Sequence, residues 1–276
     1  RGSSCGDVVS GAVRSWAMAK ANPAPVLAGW YVISLRPSGA HGPVRRAAAA
    51  LGARVLPVST LRLVSLDAGV ALDAALACPV VVFTSPAAVR FARAQRPLAA
   101  QPGQAWLAVG SGTATALRQS GIASVRMPAD RGDSEGLLAL PELQSLRGRS
   151  VGLVTAPGGR GLIAETLAHR GARVHLAEVY RREPLVPRPA RLALLGALPE
   201  SSALLVSSAE AFDALWWRLG EPMRQTLRRR PVVASSPRLA ARLAEEAFAA
   251  IVVADGAAPN ALLAALAADV AGGRFR

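Results

Sequence analysis

The chain has 276 residues, 51% of them hydrophobic and 18% charged, which suits a globular protein with a sizeable core. No run approaches the roughly 18 uninterrupted apolar residues of a membrane-spanning helix, and Cys5 and Cys78 stand far apart in no metal or redox motif, so a reducing, cytoplasmic location is the default. The formal net charge of +14 admits an anionic partner, but it is almost all dispersed arginine, and no nucleic-acid-binding motif accompanies it.

Residues 1–28 are small, polar and irregular, without the apolar core of a secretory signal, and are expected to form a loose extension. After them, short runs of valine, isoleucine and leucine alternate with helical patterns. That alternation predicts parallel sheets covered by helices on both faces. Strands are expected near 31–35, 54–58, 80–83, 105–109, 123–126, 151–154, 173–176, 203–206, 231–234 and 250–253. So many strands overfill one ordinary doubly wound sheet and suit two five-stranded ones.

A repeat supports the division. YVISLRPSGAHGPVRRAAAALGARV (Tyr31 to Val55) and SVGLVTAPGGRGLIAETLAHRGARV (Ser150 to Val174) align without a gap, matching Gly42 with Gly161, Gly52 with Gly171 and Arg54 with Arg173. VVFTSPAAVRFA (81–92) resembles LLVSSAEAFDAL (204–215), and LAVGSGTATALRQSGI (107–122) resembles VVASSPRLAARLAEEAF (232–248). The same units thus occur twice, in different order. The simplest arrangement is one domain inserted into another: domain 1 over 29–59 and 187–272, and domain 2 over 67–176. The crossings at 60–66 and 177–186 look extended and are expected to pair as a hinge ladder. The predicted fold is α/β: two similar doubly wound, flavodoxin-like, five-stranded parallel-sheet domains joined by a two-stranded antiparallel ladder.

Ligands of doubly wound sheets gather outside the carboxyl ends of the strands. Hydroxyl and glycine clusters fall there: Arg36 to Gly39, Thr84-Ser85, Gly110 to Thr113, Ser134-Glu135, Gly158 to Gly161, Ser207-Ser208 and Ser235-Ser236. Helix N-termini at these points favour carboxylates or phosphates, although helix capping alone accounts for any one cluster. Gly159-x-Gly161-x-x-Ala164 formally fits a dinucleotide fingerprint, but its first glycine falls several residues beyond the strand end. His41, His169 and His175 lack ligand spacing, and no nucleophile elbow or P-loop occurs. Chemistry here is left to hydroxyls, arginines, amides and a phenol. Tyr180, on the expected hinge, can serve as a proton or hydrogen-bond donor, or simply pack.

The words RP (Arg36-Pro37), FTS (Phe83 to Ser85), VGSGTATAL (109–117), SEGLL (134–138), VYRR (179–182) and SSPRLA (235–240), in this order, resemble the uroporphyrinogen-III synthase family. The likeness covers about residues 30 to 270. It implies two α/β domains around a flexible cleft that convert hydroxymethylbilane, a linear tetrapyrrole with eight carboxylates, into uroporphyrinogen III without a cofactor. The terminal ring is inverted through a spiro intermediate, with loss of water. By matching position, the resemblance makes Tyr180 the residue assisting hydroxyl departure. It places Ser85, Thr113, Ser207 and Ser236 at substrate carboxylates, with Ser111, Ser134 and Ser208 in the same clusters. Arg36 and Arg160 either orient carboxylates or brace loops. A monomer is expected, with neither nucleic acid nor membrane as partner. The rival reading is a two-domain protein that closes on an anionic small molecule without chemistry.

Overall fold

The computed structural model describes residues 24–129, 132–158 and 161–275. In chain order the elements are β1 (Tyr31–Ser34), α1 (Gly42–Ala50), β2 (Arg54–Pro57), β3 (Leu61–Ser65), α2 (Gly69–Leu76), β4 (Val80–Phe83), α3 (Pro86–Gln95), β5 (Ala105–Ala108), α4 (Ser111–Gln119) and α5 (Ser134–Leu138). There follow β6 (Ser150–Thr155), α6 (Leu162–His169), β7 (Arg173–Glu178), β8 (Tyr180–Pro184), α7 (Pro189–Ala197), β9 (Ser202–Val206), α8 (Ala209–Trp216), α9 (Glu221–Arg228), β10 (Pro231–Ala234), α10 (Pro237–Ala244), β11 (Ala250–Val253) and α11 (Pro259–Ala271).

The strands form two parallel sheets and one antiparallel ribbon. Among the described residues the first sheet runs β11-β10-β9-β1-β2 and the second β5-β4-β6-β7, while β3 pairs only with β8. Both parallel sheets have the doubly wound order in which the opening βαβ unit lies beside the unit that follows it in space. In the second sheet that opening unit, β6-α6-β7, comes last in the chain, as the reordered repeat anticipates. The second sheet has four strands where five were expected. Segment 123–126 contributes one bridge, Arg126 to Leu107, held by Arg126 N–H to the Trp106 carbonyl (2.9 Å) and Ala108 N–H to the Arg126 carbonyl (2.9 Å). The next donor in a parallel ladder would be residue 128, which is proline and has no N–H, so the pairing stops there.

Period-2 alternation loads both faces of each sheet. In the first, Ile33, Leu204 and Val232 face one hydrophobic cluster, and Val32, Leu205 and Val233 face the other. In the second, Val81, Phe83 and Trp106 face one cluster, and Val82, Leu107 and Leu153 the opposite one. The ribbon joins these cores at its two ends: Leu61 is buried in a first-sheet cluster and Tyr180 in a second-sheet cluster. Residues 24–28 also take part, since Leu27 is fully buried and its N–H bonds the Leu51 carbonyl at 2.9 Å.

The repeated Gly-Ala-Arg is one structural device used twice. Gly52 (φ 82°) and Gly171 (φ 84°) end α1 and α6 in the left-handed region that glycine enters freely. The following amides turn back, Ala53 to the Ala48 carbonyl and Ala172 to the Leu167 carbonyl, and Arg54 and Arg173 then begin β2 and β7. Gly152 answers a different demand. Helix α2 lies so close over β6 that a Cβ at this position would sit 2.0 Å from the Ala75 carbonyl oxygen.

Between β1 and α1, a buried hydrogen-bond chain holds the loop that carries Arg36. Ser59 Oγ donates to the Arg36 carbonyl (2.9 Å), so it must accept from His41 Nε2–H (2.7 Å). His41 Nδ1 is then the bare nitrogen and accepts from Ser34 Oγ–H (3.0 Å). Burial, with Arg45, Arg36 and Arg191 around the ring, lowers the His41 pKa from 6.5 to about 4.

Two outcomes are expected. Gly152→Ala loses about 3 kcal/mol of stability through overpacking against α2, read as a lowered urea midpoint. For His41, the unfolded chain binds a proton below about pH 6.5 and the folded chain resists it until about pH 4. Stability therefore falls as the pH drops through that window, by about 2 kcal/mol at pH 5. His41→Gln flattens that part of the profile in urea titrations at pH 7 and pH 5.

Candidate active site

The carboxyl ends of the strands open onto two neighbouring cavities. The smaller, about 280 Å³, lies on the second sheet and is lined by Thr84, Ser85, Ser134, Thr155, Glu178 and Tyr180, among others. The larger, about 690 Å³, lies on the first sheet and includes Arg36, Ser207, Ser208, Ser235, Ser236 and Arg238. Gly158 and Arg182 belong to the walls of both.

Tyr180 is the first residue of β8 and 3% exposed. Its ring stacks on Phe91 of α3 at 5.2 Å, and its Oη lies 3.1 Å from Ser85 Oγ. Ser85 is the N-cap of α3, accepting from Ala88 N–H at 3.0 Å. One hydroxyl thus both starts a helix and holds the phenol. If Ser85 donates to the phenolic oxygen, the Tyr180 O–H is left to point at a ligand, and the serine supports charge growing on the oxygen as that proton moves. Thr84 Oγ1 bonds Thr155 Oγ1 (2.8 Å), linking the ends of β4 and β6 where the spatial order of strands reverses.

The larger cavity repeats the capping arrangement. Ser208 caps α8 through Ala211 N–H and Ser236 caps α10 through Leu239 N–H, each at 3.3 Å. The Arg36 guanidinium bonds the Ala257 carbonyl, and burial holds its pKa below the ordinary arginine value. Arg242, in the same wall, pairs with Asp213 (2.8 Å) and Glu246 (2.9 Å). On the outer face of the ribbon, Glu183 takes Arg181 and Arg62, which hold its carboxyl below the usual range.

The candidate residues divide by position. Tyr180, Ser85 and Ser134 meet in the smaller cavity, and Arg36, Ser207, Ser208 and Ser236 in the larger. Ser111 and Thr113 begin α4 and line neither cavity; Ser111 is exposed, while Thr113 is buried on the inner face with Ala114 and Leu117. Arg160 lies outside the described residues. Thr155, Arg182 and Glu210 line the cavities without having been singled out beforehand, and Arg238, an alternative to Ser236 within SSPRLA, lines the larger one with it. Arg182 carried a usable signal: two residues beyond Tyr180 on a strand, it must share the tyrosine's face. Among the described residues no group of three or more His, Cys, Asp or Glu is placed to hold a metal ion, and no helix is long and apolar enough to cross a membrane.

Comparison with known proteins meets this geometry. The family model described as uroporphyrinogen-III synthase HemD matches residues 43–264. Uroporphyrinogen-III synthase of Salmonella typhimurium is 37% identical over 187 residues, covering 65% of this chain and 74% of that protein. Among solved structures, a mutant uroporphyrinogen III synthase from Thermus thermophilus superposes with a TM-score of 0.55, at 20% identity over 88% of this chain and 99% of that one. The Helicobacter pylori uroporphyrinogen-III synthetase gives 0.56, at 15% identity over 88% and 99%. Those two likenesses speak for the fold, and the family match and the Salmonella relative for the lineage. The chain belongs to the uroporphyrinogen-III synthase family, enzymes of haem biosynthesis.

Proposed function

We propose that the two cavities are one cleft for hydroxymethylbilane and that Tyr180, held by Ser85, assists loss of the substrate's hydroxyl. The family acts on this molecule. The observation that carries the assignment is the Ser85–Tyr180 hydrogen bond of 3.1 Å in a cavity wall that continues, through Gly158 and Arg182, into the serine-rimmed cavity of the other sheet. On this reading the chain divides into domain 1 (29–59 and 187–272) and domain 2 (67–176), with 60–66 and 177–186 as the hinge on which they close. The protein works as a cytoplasmic monomer without nucleic acid.

The chemistry asks little of side chains and much of geometry. Electrons from the terminal pyrrole expel hydroxide from its hydroxymethyl carbon as the C–O bond breaks, and a hydrogen bond from Tyr180 to the departing oxygen eases that step. The resulting azafulvenium carbon bonds to the substituted carbon of the ring at the other end, giving a spiro intermediate. That intermediate breaks the bond from the spiro carbon to its original methylene, and the freed methylene bonds to the ring's unsubstituted α-carbon. That carbon gives up its proton, so that the ring is turned over and hydroxide and proton leave together as water. A free chain closes without inversion, so the cleft's main task is to hold the substrate in the geometry that favours the spiro route. Serine hydroxyls, helix N-terminal amides and arginines at the rim suit its carboxylates.

Tyr180→Phe is expected to lower kcat about ten- to a hundredfold while the product remains type III, because positioning survives the loss of one donor. The check supplies fresh hydroxymethylbilane, oxidises the products and separates type I from type III porphyrin. A wild-type protein that leaves only type I at the uncatalysed rate would refute the cleft assignment. Ser85→Ala removes both the helix cap and the phenol's partner. It is expected to cost about 1 kcal/mol of stability and to lower kcat further than a cap alone explains.

A further inference from the structure

β8 treats its arginines in two ways. Arg181 and, across the ribbon, Arg62 both bond Glu183 on one face. Alternation turns Tyr180 and Arg182 to the opposite face, toward the cavities. The exposed Arg182 guanidinium has no ion-pair or hydrogen-bond partner among the described residues. The other cations of the larger cavity differ. Arg36 is committed to a carbonyl and Arg242 to acids, while Arg238 lines that cavity alone. Among the described residues Arg182 is the one charged side chain common to both cavity walls.

We propose that Arg182 is a substrate-binding residue that pairs with a carboxylate of hydroxymethylbilane where the chain of pyrroles passes from the Tyr180 cavity into the larger one. The proposal rests on the reading of the paired cavities as the substrate cleft. Size supports it: about 280 Å³ suits a single small ligand, so four pyrroles with their acid side chains must extend through the junction at Arg182. Electrostatics supports it as well. Loss of hydroxide leaves positive charge on the pyrrole, and a bare guanidinium about 7 Å away along the strand would oppose it. Paired with a substrate carboxylate, the guanidinium is neutralised before that charge develops. The contact therefore serves binding of the chain more than the bond-breaking step. Because Arg182 stands on the ribbon and not on either sheet, it stays beside the substrate however the two sheets close on it.

The test uses the full chain and fresh hydroxymethylbilane, with steady-state rates and type I/type III separation for Arg182→Gln, Arg182→Lys, Arg181→Gln and Tyr180→Phe. Arg182→Gln is expected to raise KM about tenfold or more with kcat changed by less than about threefold, as loss of a charge-assisted pair requires. Arg182→Lys recovers part of the loss, since it keeps the charge but not the planar fork. Arg181→Gln, which removes an equal charge from the outer face, behaves as wild type, and thermal melts of all four agree with the parent. A wild-type KM for Arg182→Gln, with Tyr180→Phe slowed, overturns the role of Arg182 and leaves the cleft reading standing. Equal rises in KM for Arg181→Gln and Arg182→Gln also overturn it, by showing a general field and no contact. If both Arg182→Gln and Tyr180→Phe match wild type, the cleft reading falls and the proposal with it.

Discussion

The rest of the structure depends on the pairing of β3 with β8. After β2 the chain leaves an unfinished sheet, builds a second one, and must return to complete the first. The two crossing segments belong to neither sheet, so their backbone N–H and C=O groups are satisfied chiefly by each other. That requirement makes a short antiparallel ribbon with one end in each core, Leu61 in one and Tyr180 in the other. Its pleat then decides which side chains face the cavities. Tyr180 and Arg182 turn inward, and Arg181 and Arg62 share the one carboxylate of Glu183 outside.

The same economy appears at the strand ends. From the residue types alone, a serine after a strand reads either as a helix cap or as a ligand-binding group. Ser85, Ser208 and Ser236 show that the alternatives are compatible. Each accepts a helix N–H through an oxygen lone pair, which leaves its own hydrogen to donate. For Ser85 the second bond reaches the Tyr180 phenol, so the start of α3 and the position of the phenol are set by one atom. Helix stability and phenol position are therefore coupled at this point. A change made at the cap reaches the phenol through a single hydrogen bond.

Charge follows a parallel logic. The net charge of +14 has the sign an acidic substrate needs, yet much of it is occupied internally. Arg230 holds the Leu195 and Leu198 carbonyls, Arg170 those of Leu138 and Leu143, and Arg242 three acids of α8 and α10 with their flank. These bind the frame together. On the proposed reading of the cavities as the substrate cleft, an octacarboxylate would meet hydroxyls and arginines of their walls that this frame does not use.

Fold class, the repeated βαβ unit and its changed order were legible in the sequence, because alternation between apolar strands and amphipathic helices is a local property of the chain. So were the Gly-Ala-Arg endings, since only glycine takes φ near 80° without cost at Gly52 and Gly171. Tyr180, the serine clusters and the two crossings could be placed from motif and spacing. What the tertiary structure decided was non-local. Segment 123–126 has strand composition but stops after one bridge, because the next register position is Pro128. Gly152 is demanded by a helix from much earlier in the chain, which passes over it at Ala75, and not by its own strand. Arg182 differs from Arg181 only in which face of the ribbon it occupies and in whether an acid stands across from it. Local pattern specifies what each segment forms. Contact between distant segments decides which of its side chains are left free to meet a ligand.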